Sequence, residues 1–225
     1  MKKLFTAIRQ SDVATVTALL DKKPELIACT AKAPPKKDVG QSPLQVAIKT
    51  NNYVIAHLLL DRGADVNFME PEDCGSDFRM PVVQDAVRAA VDCCRWNVRW
   101  PGEGYLVQRT KAQADEAYAL LERMITMGAD LTKRSSNGST ALDSALRCTR
   151  QYIPSFHYGE RRYLDDRQLT PELDEDLMRV FRLIITSAPD ITWKHLFIRP
   201  EETLLLQYLE RNGSPRCEDP ECGLA

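Results

Sequence analysis

The chain has 225 residues, 44% hydrophobic and 28% charged, which suits one elongated domain or a compact one with appendages. Lys and Arg total 30 against 32 Asp and Glu, and the resulting net charge of −2 predicts no nucleic-acid or membrane partner. Met1-Lys2-Lys3 runs directly into an amphipathic pattern rather than a continuous apolar core, so neither a signal peptide nor a membrane span is expected, and a soluble, cytoplasmic protein is.

Leu4, Ala7 and Ile8 fall on one helical face, Ser11-Asp12 makes a turn, and Val13, Val16, Leu19 and Leu20 form a second apolar face. Lys22-Lys23-Pro24-Glu25 closes this first unit with a polar end suited to an N-terminal cap. A loop over Ala31–Val39 follows. Ser42 then caps a second unit, Pro43 suits its first helical position, and Leu44, Ala47 and Ile48 repeat the apolar face. Asn51-Asn52 breaks the run, a helix buries Ile55, Leu58 and Leu59, and Gly63 follows as a cap that tolerates positive φ.

The stretch Gly40–Asn67 resembles an ankyrin repeat, with Ser42-Pro43-Leu44-Gln45-Val46-Ala47 in the place of the family's T-P-L-H-x-A. Such units cannot cover their own apolar faces and stack in arrays of about three or more, so copies are expected. Gly128-Ala129-Asp130-Leu131 matches the Gly63 ending, and Asn137–Leu146 matches Gly40–Ile48. The resemblance implies a non-catalytic scaffold that binds other proteins through hairpin fingers and the concave face of the first helices. The fingers would be Ala31–Gln41, Asn67–Met80, Leu131–Ser139 and Ile191–Pro200. The sequence departs from the family at the histidine of its motif, where Gln45 and Asp143 stand.

The third and fourth units are longer than the family's repeat of about 33 residues. From Pro81 to Gly128 there are 47 residues where Pro43 to Gly63 takes 20, about 27 more. Ala188-Pro189-Asp190-Ile191 lies 60 residues after Gly128, again about 27 beyond one period. In the third unit the first helix is expected to run on from Ala89 to about Trp96, then a loop through Pro101-Gly102-Glu103-Gly104, then a helix over about Lys111–Met127. In the fourth, Cys148–Gln168 is the excursion and Thr170-Pro171 starts a helix to Ser187. Stacked units touch only their neighbours, so the two excursions are expected side by side, as a lobe on the edge opposite the fingers. Trp193, Leu196 and Phe197 with a helix over Glu201–Arg211 make a closing unit.

The expected fold is therefore an all-α ankyrin-repeat solenoid of stacked helix-turn-helix units, enlarged at the inter-helix turn of repeats three and four. It forms a single domain over 1–213, with repeats near 3–30, 39–71, 78–131 and 137–191, a capping unit at 192–213 and a flexible tail at 214–225. Both ends read as capped, which predicts a monomer.

No nucleophile, metalloprotease, dinucleotide or phosphate-loop motif is present, and no cofactor or metal is expected. The seven cysteines read as small apolar side chains; Cys217 and Cys222 alone have a metal-like spacing, without a second pair. His57 reads as structural and His157 as the histidine to test. The informative residues are Arg95, Trp96, Arg99, Trp100 and Tyr105 in the first excursion, and Tyr152, Phe156, Tyr158 and Arg162 in the second, since Trp, Tyr and Arg dominate protein–protein hot spots. These nine are the candidate contacts to another protein. Trp96 and Trp100, four apart, would share one helical face and could equally pack the lobe's own core. Two alternatives stay open: an enzyme site between the excursions using His157, Arg161, Arg162 and Asp165 or Asp166, and a phosphate or nucleic-acid contact through Arg95, Arg99, Arg109, Arg161 and Arg162.

Overall fold

The computed structural model of the chain describes residues 1–32, 35–194 and 198–218. Leu4, Ala7 and Ile8 form the buried stripe of α1 (Lys2–Arg9), and Val16 and Leu20 that of α2 (Val13–Lys22), whose first turn is closed by the Asp12 carboxylate accepting from the Thr15 amide. Ser11 turns the corner at φ 57°, as Asn51 does in the next unit. There, α3 (Pro43–Lys49) opens with a reciprocal capping box. The Ser42 hydroxyl accepts the Gln45 amide at 3.1 Å, and the Gln45 side-chain oxygen accepts the Ser42 amide at 3.2 Å. Its partner α4 (Tyr53–Asp61) is followed by Gly63 at φ +82°, a conformation that a Cβ would strain.

The same construction continues with α5 (Val82–Asp92) and α6 (Lys111–Thr126), then α7 (Ala141–Thr149) and α8 (Pro171–Ser187), and ends on α9 (Thr203–Glu210). Each odd-numbered helix from α1 to α7 packs on the even-numbered helix that follows it. Helices α1, α3, α5 and α7 also pack in sequence on one another, and so do α2, α4, α6 and α8, with α9 against α8. Two rows of helices therefore share one continuous core, from Leu4 at one end to Tyr208 and Leu209 at the other. No helix among the described residues is long and apolar enough to cross a membrane.

Within the described residues, the expected fingers fall in the connections between helices. Ala31 and Gln41 close the first, with Ala31 N–H donating to the Gln41 carbonyl at 2.8 Å. Gly40, at φ +82°, lets this finger press on the next: a Cβ there would stand 2.5 Å from Cys74 Cβ. Fingers two and three meet where Ser136 N–H donates to the Arg79 carbonyl at 2.9 Å.

The structure corrects three expectations. The fold is not purely helical. Strands β1 (Asn97–Trp100) and β2 (Gly104–Val107) pair antiparallel, and so do β3 (Phe156–His157) and β4 (Arg162–Tyr163). Next, the first helix of the third unit ends at Asp92 rather than running to Trp96, so Trp96 and Trp100 share no helical face. Val98, Trp100, Tyr105 and Val107 favour extended backbone, and Gly102 and Gly104, both at positive φ, turn the chain back. Finally, residues 214–218, read as the start of a loose tail, are tied to the last finger. Trp193 N–H donates to the Arg216 carbonyl at 3.2 Å, and the Trp193 indole donates to the Pro215 carbonyl at 3.0 Å. Leu196, Phe197 and Cys222, named above for the closing cluster and the cysteine pair, lie outside the described residues.

Candidate partner-binding surface

At the base of the lobe the candidate residues are turned inward. Arg95, just past α5, donates from Nε and Nη2 to the Asp176 carboxylate on α8 at 2.8 and 3.0 Å, and from Nη2 to Glu175 at 3.1 Å. Asp176 is 1% exposed, so hydrogen bonding to it raises the affinity of Arg95 for its proton and spends the guanidinium on holding α8. Trp96 donates its indole N–H to the Asp92 carbonyl at 3.2 Å and packs against Tyr152 with ring centroids 5.0 Å apart. The Tyr152 hydroxyl donates to the Asp92 carboxylate at 2.8 Å. Burial raises the pKa of both groups, Tyr152 further by its bond to Asp92. Arg95, Trp96 and Tyr152 thus weld the lobe to the helices.

Further out, the two excursions join. Asn97, 1% exposed, exchanges two hydrogen bonds with the main chain of Gln168, and Arg99 N–H donates to the Asp166 carbonyl at 3.0 Å. The Arg99 guanidinium and the Tyr105 hydroxyl both reach the Asp165 carboxylate. That bond raises the Tyr105 pKa, chiefly through the hydrogen bond itself. Asn97, Arg99 and Tyr105 lie on one face of the hairpin, because Arg99 is paired with Tyr105 in register and alternates with its neighbours.

The opposite face carries Val98, Trp100 and Leu106, with Val98 paired with Leu106. Trp100 is 53% exposed and Leu106 37%. Of the nine candidates, Trp100 is the aromatic side chain with most of its surface in water, and an exposed indole on a fixed hairpin is the chemistry of an interaction anchor.

The second hairpin faces the closing unit instead. Phe156 packs edge-on against Tyr158 and Tyr163, the Tyr163 hydroxyl accepts the Leu204 amide at 2.8 Å, and Arg199 stacks over the Tyr158 ring at 4.3 Å. Arg162 is exposed and pairs with Glu160, next to His157, whose Nδ1 accepts the Glu160 amide at 3.0 Å. His57 bonds Arg123 between α4 and α6, and burial, then that cation, lower its pKa. The groups of the enzyme alternative are dispersed. Asp165 and Asp166 border an open 410 Å³ depression with Arg99 and Arg167, while His157 lies on the other hairpin and Arg161 approaches Glu201 at 4.0 Å.

The unit between the first finger and Glu70 also matches a known family model, described as ankyrin repeat, over residues 39–70. No curated protein matches the chain. Among solved structures, one from the complex of the Bd0816 predatory endopeptidase of Bdellovibrio bacteriovorus with immunity protein Bd3460 aligns at 18% identity. The alignment covers 68% of this chain and 94% of that one, with a TM-score of 0.25.

In the stretch that matches the ankyrin-repeat model, Gln45 stands at the family's histidine position and bonds across to the next unit. It is fully buried and its amide donates to Glu70 Oε1 at 3.0 Å, to the Met80 carbonyl at 3.2 Å and to Asp85 Oδ2 at 3.1 Å. Gln84 does the same one unit on, donating to the carbonyls of Lys133 and Ser139 at 3.0 and 2.8 Å and accepting from Ser144 at 3.0 Å. Asp143 accepts the Lys194 amide at 2.7 Å. Gln84 was legible as the third residue after Pro81, but without a Pro-Leu pair beside it the position did not stand out. Arg88 and Arg147, on the exposed side of the same helices, were also missed.

Proposed function

We propose that the chain is a non-catalytic protein-interaction scaffold of the cytoplasm, built as an ankyrin-type solenoid over 1–213 in which the repeat at 39–70 is the second unit and units three and four carry the insertions. The observation that supports it best is Trp100. It stands more than half in water beside Val98 and Leu106 on a hairpin held from behind by Asn97 and Arg99. An aromatic anchor that costs little ordering entropy on binding is what an interface hot spot requires. In this reading Arg95, Trp96, Tyr152 and Phe156 build the lobe, and Trp100, Leu106 and Tyr158 are its contact residues. The ankyrin repeat supports protein binding as the general activity, because such repeats generally serve it.

The test is a quantitative pull-down from the native cell extract with the intact chain and a Trp100→Ala/Leu106→Ser variant. Both side chains are exposed, so melting should be unchanged. A partner that the intact chain captures and the variant loses is the expected result; equal capture by both overturns the assignment of this face.

A further inference from the structure

Counted from the helix caps Ser42, Pro81 and Thr140, the seventh residue of α3, α5 and α7 is Lys49, Arg88 and Arg147. In α1 the residue that follows the same apolar stripe, with Ile8 aligned on Ile48, is Arg9, the eighth of that helix, and it is engaged by Asp38. Three successive first helices thus carry a cation at one position, and α1 carries one after the same apolar stripe, in a chain whose net charge is −2. Helices α3, α5 and α7 pack side by side, and Lys49, Arg88 and Arg147 border two cavities that share Arg88. Lys49 and Arg88 are exposed, and both border a 170 Å³ cavity with Asp85 and Asp92. Arg88 and Arg147 border a second, of 110 Å³, with Ser144, Gln151, Phe78 and Met80 and without an acidic side chain.

We infer that this groove takes an acidic segment of a protein, with one carboxylate held between Arg88 and Arg147 and others spaced to meet Lys49. The inference rests on the protein-binding reading above but concerns a different surface and names the partner's chemistry. Two guanidinium groups on one small cavity offer charge-assisted bonds to a carboxylate, and Phe78 and Met80 supply an apolar wall for its stem. Arg147 is steadied for this by its bond to Ser139 Oγ at 2.8 Å. Packed helices lie about 10 Å apart and an extended chain advances about 3.3 Å per residue, so acidic residues roughly every third position match the cation spacing. Asp85 and Asp92 border the same cavity as Lys49 and Arg88. Once ionised, these two carboxyls disfavour the unbroken charge of a nucleic acid more than carboxylates spaced to meet Arg88 and Arg147.

The test is fluorescence anisotropy on the intact chain with a labelled peptide of roughly 12 residues bearing Glu at every third position in a Gly/Ser/Thr background. The controls are its Gln counterpart, an isomer with the glutamates contiguous, and an oligothymidine of similar length. The spaced peptide is expected to bind best and to weaken with salt, with affinity reduced about tenfold or more by Arg88→Gln, a change at an exposed side chain. Trp100→Ala should leave this binding intact, so failure here and failure of the lobe reading are separable. No binding of the spaced peptide, equal binding of the Gln peptide, tighter binding of the oligothymidine, or an unaltered affinity in a normally melting Arg88→Gln variant would each overturn the inference.

Discussion

Asn97 and Gln168, 71 positions apart in the chain, are paired as two strand residues would be: the Asn97 side-chain oxygen accepts the Gln168 amide at 2.8 Å, and its side-chain nitrogen donates to the Gln168 carbonyl at 2.9 Å. A side-chain amide thereby substitutes for a missing strand and fuses the two excursions into one lobe. Asn97 is almost fully buried, so Asn97→Ala leaves two main-chain groups unsatisfied, at a cost of about 1–3 kcal/mol. Urea unfolding should show that loss, and amide exchange at Gln168 should accelerate while exchange in α3 stays slow. Unchanged protection at Gln168 would mean that the excursions are held together some other way.

The Arg95–Asp176 pair makes a second claim about the lobe. Arg95→Met leaves the buried Asp176 with the Arg95 amide at 3.0 Å and Arg179 at 3.3 Å as its remaining contacts, and should destabilise by about 3 kcal/mol. The double variant Arg95→Met/Asp176→Leu removes the stranded charge and should recover part of the loss. A double variant weaker than the sum of both single changes would contradict that account.

Asp85 predicts a pH dependence. Its carboxyl is pushed up to about 7, first by burial and secondarily by Glu70, against the opposing effects of Lys49, the Gln45 amide and Arg88. The folded protein therefore keeps a proton that the unfolded chain releases near pH 4. This contribution is complete below about pH 4 and is lost as pH rises through about 7. Asp85→Asn should flatten the stability profile over that window and be more stable than the parent at pH 8, by more than 1 kcal/mol given about 1.4 kcal/mol per pKa unit. Carboxylates with lowered pKa, such as Asp130 and Asp166, act in the opposite sense at lower pH, so the difference between the two proteins is the quantity to measure.

Trp193 gives a spectroscopic check on the end of the domain. It is 1% exposed and its indole donates to the Pro215 carbonyl, with Glu218 bonded to Thr192 and Arg134 nearby. Ending the chain at Gly213 should expose this ring, shift tryptophan emission to longer wavelength and lower the melting temperature by a few degrees, as about 1 kcal/mol does in a chain of this size. Unshifted emission would show that residues 214–218 contribute nothing to its burial.

Much of the architecture could be read locally. Ser42, Thr140 and Thr170 announce helix starts through caps that involve only the next three residues, and the boundaries of α6 and α8 follow from caps and periodicity. The equal length of the two excursions was likewise visible, and so was the aromatic and Arg-rich composition of both. What composition could not assign was direction. Arg95 turns to Asp176, 81 residues away, whereas Trp100 turns to water, because each outcome depends on which distant side chain lies within reach once the helices are stacked. The same holds for the hairpins. The spacing suggests a helix to about Trp96 and then a loop through Pro101–Gly104, whereas Asn97–Val107 adopts paired strands, with Asn97 and Arg99 bonded to partners that the second excursion supplies. Local caps and apolar periods set the repeating frame; long-range pairing, decided only after the chain is packed, selected which of its aromatic and charged residues face outward.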